Sequence, residues 1–275
     1  MTGKVNIIIP ASNEAALIGG CLRAVLASEG VATARLIVVA NGCQDATADV
    51  ARSLAGAAQA RGWELEVLEL ARGHKPGALN AGDAAAGPGP RVYLDADVEV
   101  SPPLLAQLCR ILAAEAPRYA SGTVEIPRPK TAVSRAYARI YAQVPFMVTG
   151  VPGCGLFAVN PAGRARWGDW PDIIADDTFA RLHFTPEERV LAPARYRWPV
   201  VEGWRALIRV RRRQNAGVRQ IAATYPALGA NDDKPRFTAR RAAAMALRDP
   251  VGFAVYAGVG LIARRGGGQG WSRGR

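Results

Sequence analysis

The sequence predicts an α/β fold, a mostly parallel sheet flanked by helices, with a basic helical C-terminal tail. Three observations carry this. The first hundred residues alternate apolar runs with amphipathic segments in the order β-α-β-α-β-α-β, the order of a parallel sheet covered on both faces. Hydrophobic residues make up 49% of the 275, enough for a sizeable core and too many for a disordered chain. The basic excess is confined to one end. Residues 1–100 carry 8 basic and 11 acidic side chains, residues 101–200 carry 12 and 8, and residues 201–275 carry 15 and 4.

Each element follows from its local pattern. Residues 5–9 are a β-rich apolar run ending at Pro10, and residues 14–27 place Ala15, Ile18, Leu22, Val25 and Leu26 at helical spacing. A second run, 36–39, is closed by Asn41 and Gly42, and a helix spans 45–60 with Asp45 at its start. Strand 65–70, helix 76–86 and strand 91–94 follow, then helix 102–116 with Leu104, Leu105, Leu108, Ile111 and Leu112 on its buried side. Beyond residue 120 the order is less regular: strand 120–126, helix 132–141, a glycine-rich loop 150–155 leading into strand 156–159, and a basic helix 203–213. The tail holds helices at 238–248 and 251–263 and a glycine breaker at 266–270.

Several function classes are excluded. The four cysteines, at 21, 43, 109 and 154, form no CxxC pair, which argues against zinc knuckles and dithiol redox chemistry. Two histidines are too few for a histidine-built metal site. No GxGxxG follows the first strand, which counts against a dinucleotide cofactor. The N-terminus reads as a strand rather than a cleavable leader. The longest apolar-or-glycine run, 251–263, is 13 residues, short of the roughly 20 that span a bilayer. The chain is therefore expected in the cytoplasm, peripheral on the inner membrane face if that run docks there.

Parallel sheets bind ligands beyond the carboxyl ends of their strands, and the polar clusters of the first hundred residues all lie there. Asp95 and Asp97 follow the fourth strand. Alternate residues of an extended segment point the same way, so the two carboxylates present hard oxygens suited to Mg²⁺ or Mn²⁺ shared with a diphosphate. At the first strand end, Ser12 or Asn13 is placed to cap the following helix, with Glu14 in its first turn. Lys75, at a helix start, is placed to meet a phosphate. Asp176 and Asp177 are adjacent, so mutual repulsion raises one pKa, as a proton-accepting carboxylate needs; alone, the pair also reads as an ordinary acidic helix start.

Taken in order, these segments resemble the family 2 glycosyltransferases, which have the GT-A fold, a Rossmann-like sheet. Pro10 to Glu14 matches the family's P-x-x-N-E. Residues 38–45 match V-V-D-D-G-S-x-D, with Ala40-Asn41 in place of the acidic pair. Residues 73–82 match G-K-x-x-A-L-N-x-G with His74 inserted, and Asp95-Ala96-Asp97 matches DxD. Gly150 to Gly155 stands for the acceptor loop and Asp176-Asp177 for the E-D dyad. The resemblance implies an inverting, metal-assisted transfer from a UDP- or GDP-type nucleotide sugar to a sugar, lipid-linked or small-molecule hydroxyl acceptor. It implies Pro10, Ala11, Asn13, Glu14, Asn41, Lys75 and Asp95 at the donor, Asp97 as the main metal ligand with Asp95 beside it, and Asp177 as base with Asp176 as fallback. The processive family signature Q-x-x-R-W is not matched near Gln214, which argues against a polysaccharide synthase. Arg212 and Arg213 remain candidates for the diphosphate.

These observations divide the chain into a catalytic domain, residues 1–215, and a tail, 216–275. In the tail, Arg240, Arg241, Arg248, Arg264 and Arg265 bracket the apolar segment and Trp271 lies beyond it, a pattern suited to docking on an anionic membrane surface or to an ordinary packed helix. A nucleic-acid-binding protein is the rival class, disfavoured because no aromatic side chains interleave with the tail arginines in a known module. An inactive family member is the other alternative, given Ala40 and Asp176.

Overall fold

A computed structural model describes residues 4–265. At its centre is strand β1 (Val5–Ala11), buried along its whole length. A strand covered on both faces must be apolar on both, which is why residues 5–9 form an unbroken hydrophobic run. It pairs in parallel with β2 (Ala34–Asn41) on one side and β4 (Arg91–Leu94) on the other. The eight strands run β3-β2-β1-β4-β7-β6-β8-β5. The others are β3 (Glu64–Leu70), β5 (Glu99–Val100), β6 (Tyr119–Glu125), β7 (Leu156–Val159) and β8 (Arg189–Arg197). Pairings β1–β2, β1–β4, β2–β3 and β6–β8 are parallel, and β7 enters antiparallel between β4 and β6.

The strand alternation divides the core. Ile7 and Ile9 face a cluster with Leu22 of α1 (Ile18–Leu26) and Leu104 and Leu108 of α5 (Leu104–Leu112). Ile8 faces the opposite layer, with Leu79 of α4 (Lys75–Ala85), Phe157, Trp170 and Phe179 of α9 (Asp176–Leu182). A third cluster lies under α6 (Ala132–Tyr141), α10 (Trp204–Thr224) and α12 (Pro250–Arg265) and includes Tyr137, Tyr141, Leu207 and Val259. Short helices α2 (Thr47–Arg52), α3 (Ala55–Ala60), α7 (Pro145–Val148) and α8 (Pro161–Arg164) fill the connections, and α11 (Ala239–Arg248) precedes α12.

Four local expectations need correction. The first helix starts at Ile18, not 14, because Asn13 takes a left-handed turn with φ of 57°. Neither Ser12 nor Asn13 caps it; Leu17 occupies the cap position and the Asn13 amide oxygen accepts from the Gln44 backbone N–H at 2.7 Å. The expected 45–60 helix is two helices, α2 and α3, interrupted at Ser53–Leu54. The basic helix does not stop at 213 but runs to Thr224, across residue 215. Both tail helices form, whereas the 266–270 breaker and Trp271 lie outside the described residues.

Helix α12 is tied to the rest of the protein. Arg139 Nε of α6 donates to Asp249 Oδ2 at 2.7 Å, and Val259 and Ala263 are buried while Val251 and Leu261 are exposed. Among the described residues no helix is long and apolar enough to cross a membrane.

Asp83 of α4 holds the layers around the sheet centre together. Its carboxylate accepts from Tyr93 Oη at 2.8 Å and Trp170 Nε1 at 2.8 Å, and pairs with Arg91 and Arg164 at 2.8 and 2.9 Å. Removing the anion strands two largely buried guanidinium groups. Asp83→Ala is therefore expected to lower unfolding stability by about 3–5 kcal/mol, read by urea denaturation.

Candidate active site

The loops after β1 and β2 are stitched together before any catalytic group is placed. Asn41, 3% exposed, donates from its amide nitrogen to the Ala11 carbonyl at 2.9 Å and the Val39 carbonyl at 3.3 Å. Its amide oxygen accepts from the His74 backbone N–H at 3.1 Å. Both donors are thus engaged, and the side chain retains accepting capacity alone. The Glu14 N–H donates to Thr47 Oγ1 at 2.8 Å and the Ala15 N–H to Asp45 Oδ2 at 3.1 Å, which fixes the P-x-x-N-E turn on the second loop. His74 Nδ1 accepts from the Gly77 N–H at 3.1 Å and so caps α4, setting Lys75 at the helix mouth.

Beyond β4 the chain does not stay extended as expected: Ala96 and Asp97 form a turn, closed by the Val98 N–H donating to the Asp95 carbonyl at 3.1 Å. Asp95, Asp97 and Glu99 are half-buried and alternate with buried Ala96, Val98 and Val100. The Asp95 backbone N–H donates to the Gly155 carbonyl at 2.8 Å, so the 150–155 loop lies against the DxD segment. That loop requires glycine at two places. Gly153 and Gly155 both have φ of 69°; a Cβ at Gly153 would sit 1.9 Å from Tyr119 Oη and one at Gly155 2.6 Å from Trp198 Cδ1.

Lys75 joins the two acidic motifs. Its ammonium lies 2.9 Å from Asp95 Oδ1 and 3.1 Å from Asp176 Oδ2. Burial disfavours the ammonium, but the Asp176 and Asp95 carboxylates outweigh it and hold its pKa above the ordinary lysine value. Asp176 is 7% exposed at the start of α9. Asp177 beside it is half-buried, and its Oδ1 accepts from the Thr178 N–H at 2.6 Å. Desolvation, then the neighbouring Asp176 charge, push the Asp177 carboxyl up to about 6, with Lys75 opposing.

Three neighbouring cavities surround these groups. One of about 320 Å³ is lined by Pro10, Asn13, Glu14, Asn41, Lys75, Asp95, Asp97 and Arg213. A second, of about 130 Å³, is lined by Lys75, Asp95, Asp176 and Asp177. A third, of about 630 Å³, has Asp177 in its wall and extends between α10 and α12. Trp198 and Gln214 border all three.

The fold therefore brings most of the sequence-predicted residues to one place. Ala11 does not line a cavity; its carbonyl holds Asn41. Arg212 is exposed and turned toward α12, with Nη2 3.4 Å from the Ile262 carbonyl, whereas Arg213 reaches the cleft. Sequence reasoning missed Trp198 and Gln214. Trp198 follows β8, a strand with no readable pattern, and Gln214 was read only as a departure from a motif.

Among the described residues no group of three His, Cys, Asp or Glu side chains converges on a point. The DxD segment offers two carboxylates on the wall of the 320 Å³ cavity. Such a donor set fits a hard divalent ion that takes its other oxygens from phosphate and water, the usual pattern for Mg²⁺.

The sheet, its switch from parallel to antiparallel at β7, and the acidic cleft beyond β4 define a GT-A nucleotide-sugar enzyme fold. Residues 6–156 match the family model described as glycosyl transferase family 2, and the chain belongs to that family and is a glycosyltransferase. The fold is similar to that of a mannosyltransferase, PcManGT from Pyrobaculum calidifontis, solved with GDP-Man and Mn²⁺. The two share 21% identity over 98% of this chain and 77% of the other, with a TM-score of 0.61. It is also similar to S. aureus TarS 1-349, solved with UDP (12% identity, 96% and 92% coverage, TM-score 0.54) and with UDP-GlcNAc (11%, 96% and 92%, 0.55). No curated protein matches the sequence.

Replacing Lys75 by Met should raise the Asp177 pKa above 6, because the cation that opposes protonation is gone. Carboxyl titration followed by ¹³C NMR measures this; an unmoved or lowered midpoint would contradict the described electrostatics.

Proposed function

We propose that the chain transfers a sugar with inversion from a nucleoside-diphosphate sugar, of UDP or GDP type, to a hydroxyl acceptor, with Asp177 as the general base. The observation that supports it best is placement: Asp177 lines both the acidic cleft that holds Lys75 and Asp95 and the separate large cavity. A base for this reaction must touch the acceptor while facing the donor's anomeric carbon.

In this reading Pro10, Asn13, Glu14 and Asn41 wall the nucleoside end of the cleft. Because both Asn41 N–H groups are engaged, Asn41 reads a base through its carbonyl oxygen, accepting a hydrogen bond. Lys75 and Arg213 supply positive charge toward the diphosphate. Asp97, with Asp95, would hold Mg²⁺ or Mn²⁺, whose Lewis acidity stabilises charge on the leaving diphosphate. Asp177 takes the acceptor hydroxyl proton as that oxygen bonds to the anomeric carbon; the bond from that carbon to the diphosphate breaks, and the nucleoside diphosphate leaves with the electron pair. Attack from the face opposite the leaving group inverts the centre. Asp176 positions Lys75 and, by its charge, keeps Asp177 basic.

We also propose that residues 1–215 carry the donor-binding and catalytic side chains and that the tail docks on an anionic membrane surface. Exposed Leu247, Val251, Leu261 and Ile262 lie among Arg248, Arg264 and Arg265 on α11 and α12.

Four measurements test these readings. Asp97→Ala should abolish metal-dependent binding of UDP or GDP in a thermal-shift screen and end turnover. Asp177→Asn should keep donor binding and lower turnover by roughly 10²–10⁴. In the parent protein the transfer rate should rise as pH passes about 6, where Asp177 loses its proton, and level off above; Asp176→Asn should move that midpoint down. Vesicles containing phosphatidylglycerol should co-sediment the parent protein and release it when Leu247, Val251 and Leu261 are changed to Ser; equal partitioning would remove the docking reading.

A further inference from the structure

From the 630 Å³ cavity we infer the acceptor's chemical class: a hydroxyl-bearing amphiphile whose apolar body lies between α10 and α12 with its hydroxyl at Asp177. This rests on Asp177 being the base. The wall is mostly carbon, from Val218 and Ile221 of α10, Phe253, Ala257 and Leu261 of α12, and Phe237 of the connecting segment. Arg181, Arg211, Asn215 and Asp232 interrupt that wall, so a free sugar would find partners on only part of it; each hydroxyl left against carbon costs roughly 1–3 kcal/mol. An alkyl or aromatic body loses nothing by the same transfer and gains about 25 cal/mol for each Å² removed from water. The volume is that of a pocket that encloses most of a ligand.

The mouth points the same way. Val218, Phe237 and Leu261 are 44%, 40% and 56% exposed while also lining the cavity, so its apolar wall continues onto the surface. Arg264 and Lys234 stand in the same wall, and Lys234 Nζ lies 5.1 Å from the centre of the Phe146 ring. Apolar lip and basic rim match an amphiphile with an anionic or bilayer-held head region. The deep end is polar, where Asp177, Thr178 and Gln214 meet the donor cleft. The gradient from wet end to dry body is the amphiphile's own.

The test uses the full-length protein and two probes, n-octyl and methyl β-glucoside, below the micelle concentration, by calorimetry. Octyl glucoside is expected to bind at least tenfold more tightly. Gly260 of α12 lines the cavity and a Cβ there meets nothing within 4 Å, so a larger side chain can leave the backbone at that point. Gly260→Trp, and separately Ala222→Trp from the opposite wall, should weaken octyl glucoside at least tenfold while Mn²⁺-dependent binding of UDP or GDP persists, which also reports that the variants are folded. Equal affinity for the two probes, no binding of either, or an octyl affinity unchanged in both folded variants overturns the inference. A diacyl glucolipid in phosphatidylglycerol vesicles, offered with donor, separates the sources: preferential use in vesicles identifies a bilayer lipid, and preferential use of octyl glucoside a soluble amphiphile. Failure of the parent reading shows elsewhere, as an Asp177→Asn protein that keeps full turnover.

Discussion

The site depends on one cation among acids. Three carboxylates, Asp95, Asp176 and Asp177, are gathered from two distant parts of the chain into one half-buried cleft, where their repulsion would otherwise drive β4 and α9 apart. Lys75 contacts the first two and offsets the field at the third. Its position is set by the start of α4, capped by the His74 ring, and α4 is held to the sheet through Asp83. Packing, capping and electrostatics therefore converge on one ammonium group, and the basicity of Asp177 is the residue of that balance.

How much of this was legible in the sequence follows from which forces act locally. β1, β2 and β4 are buried on both faces and announce themselves as continuous apolar runs; the DxD and Asp176-Asp177 pairs were readable because adjacency in sequence is adjacency in space. β8 was not readable. Its sequence, Arg189–Arg197, includes three arginines and Pro193, and only alternate positions turn inward, so it looks like a solvated stretch until β6 pairs with it. Trp198 went unseen with it. The break between α2 and α3 also lacks a proline to mark it. Asn41 illustrates the opposite limit: its place at the cleft was foreseen, but not that three backbone groups from three segments would claim its amide.

The two halves of the site come from different parts of the chain. The donor side is built mainly from strand ends within the first hundred residues, inside the stretch that matches the family. The far cavity is built from α10, α12 and the segment between them, beyond the matched residues 6–156. Such a division lets one half vary while the other keeps its chemistry.

The segment between α10 and α11 is clasped from below. Asp233 pairs with Arg181 of α9 and with Arg189 at 2.7 Å, and Arg189 Nη2 also donates to the Asn231 carbonyl at 2.5 Å. These guanidinium groups are largely buried, so the clasp is stiff rather than a loose surface contact. The helix that begins with the two acids is thus joined by buried ion pairs to the segment that lines the far cavity, so the base and part of that cavity's wall share one anchorage.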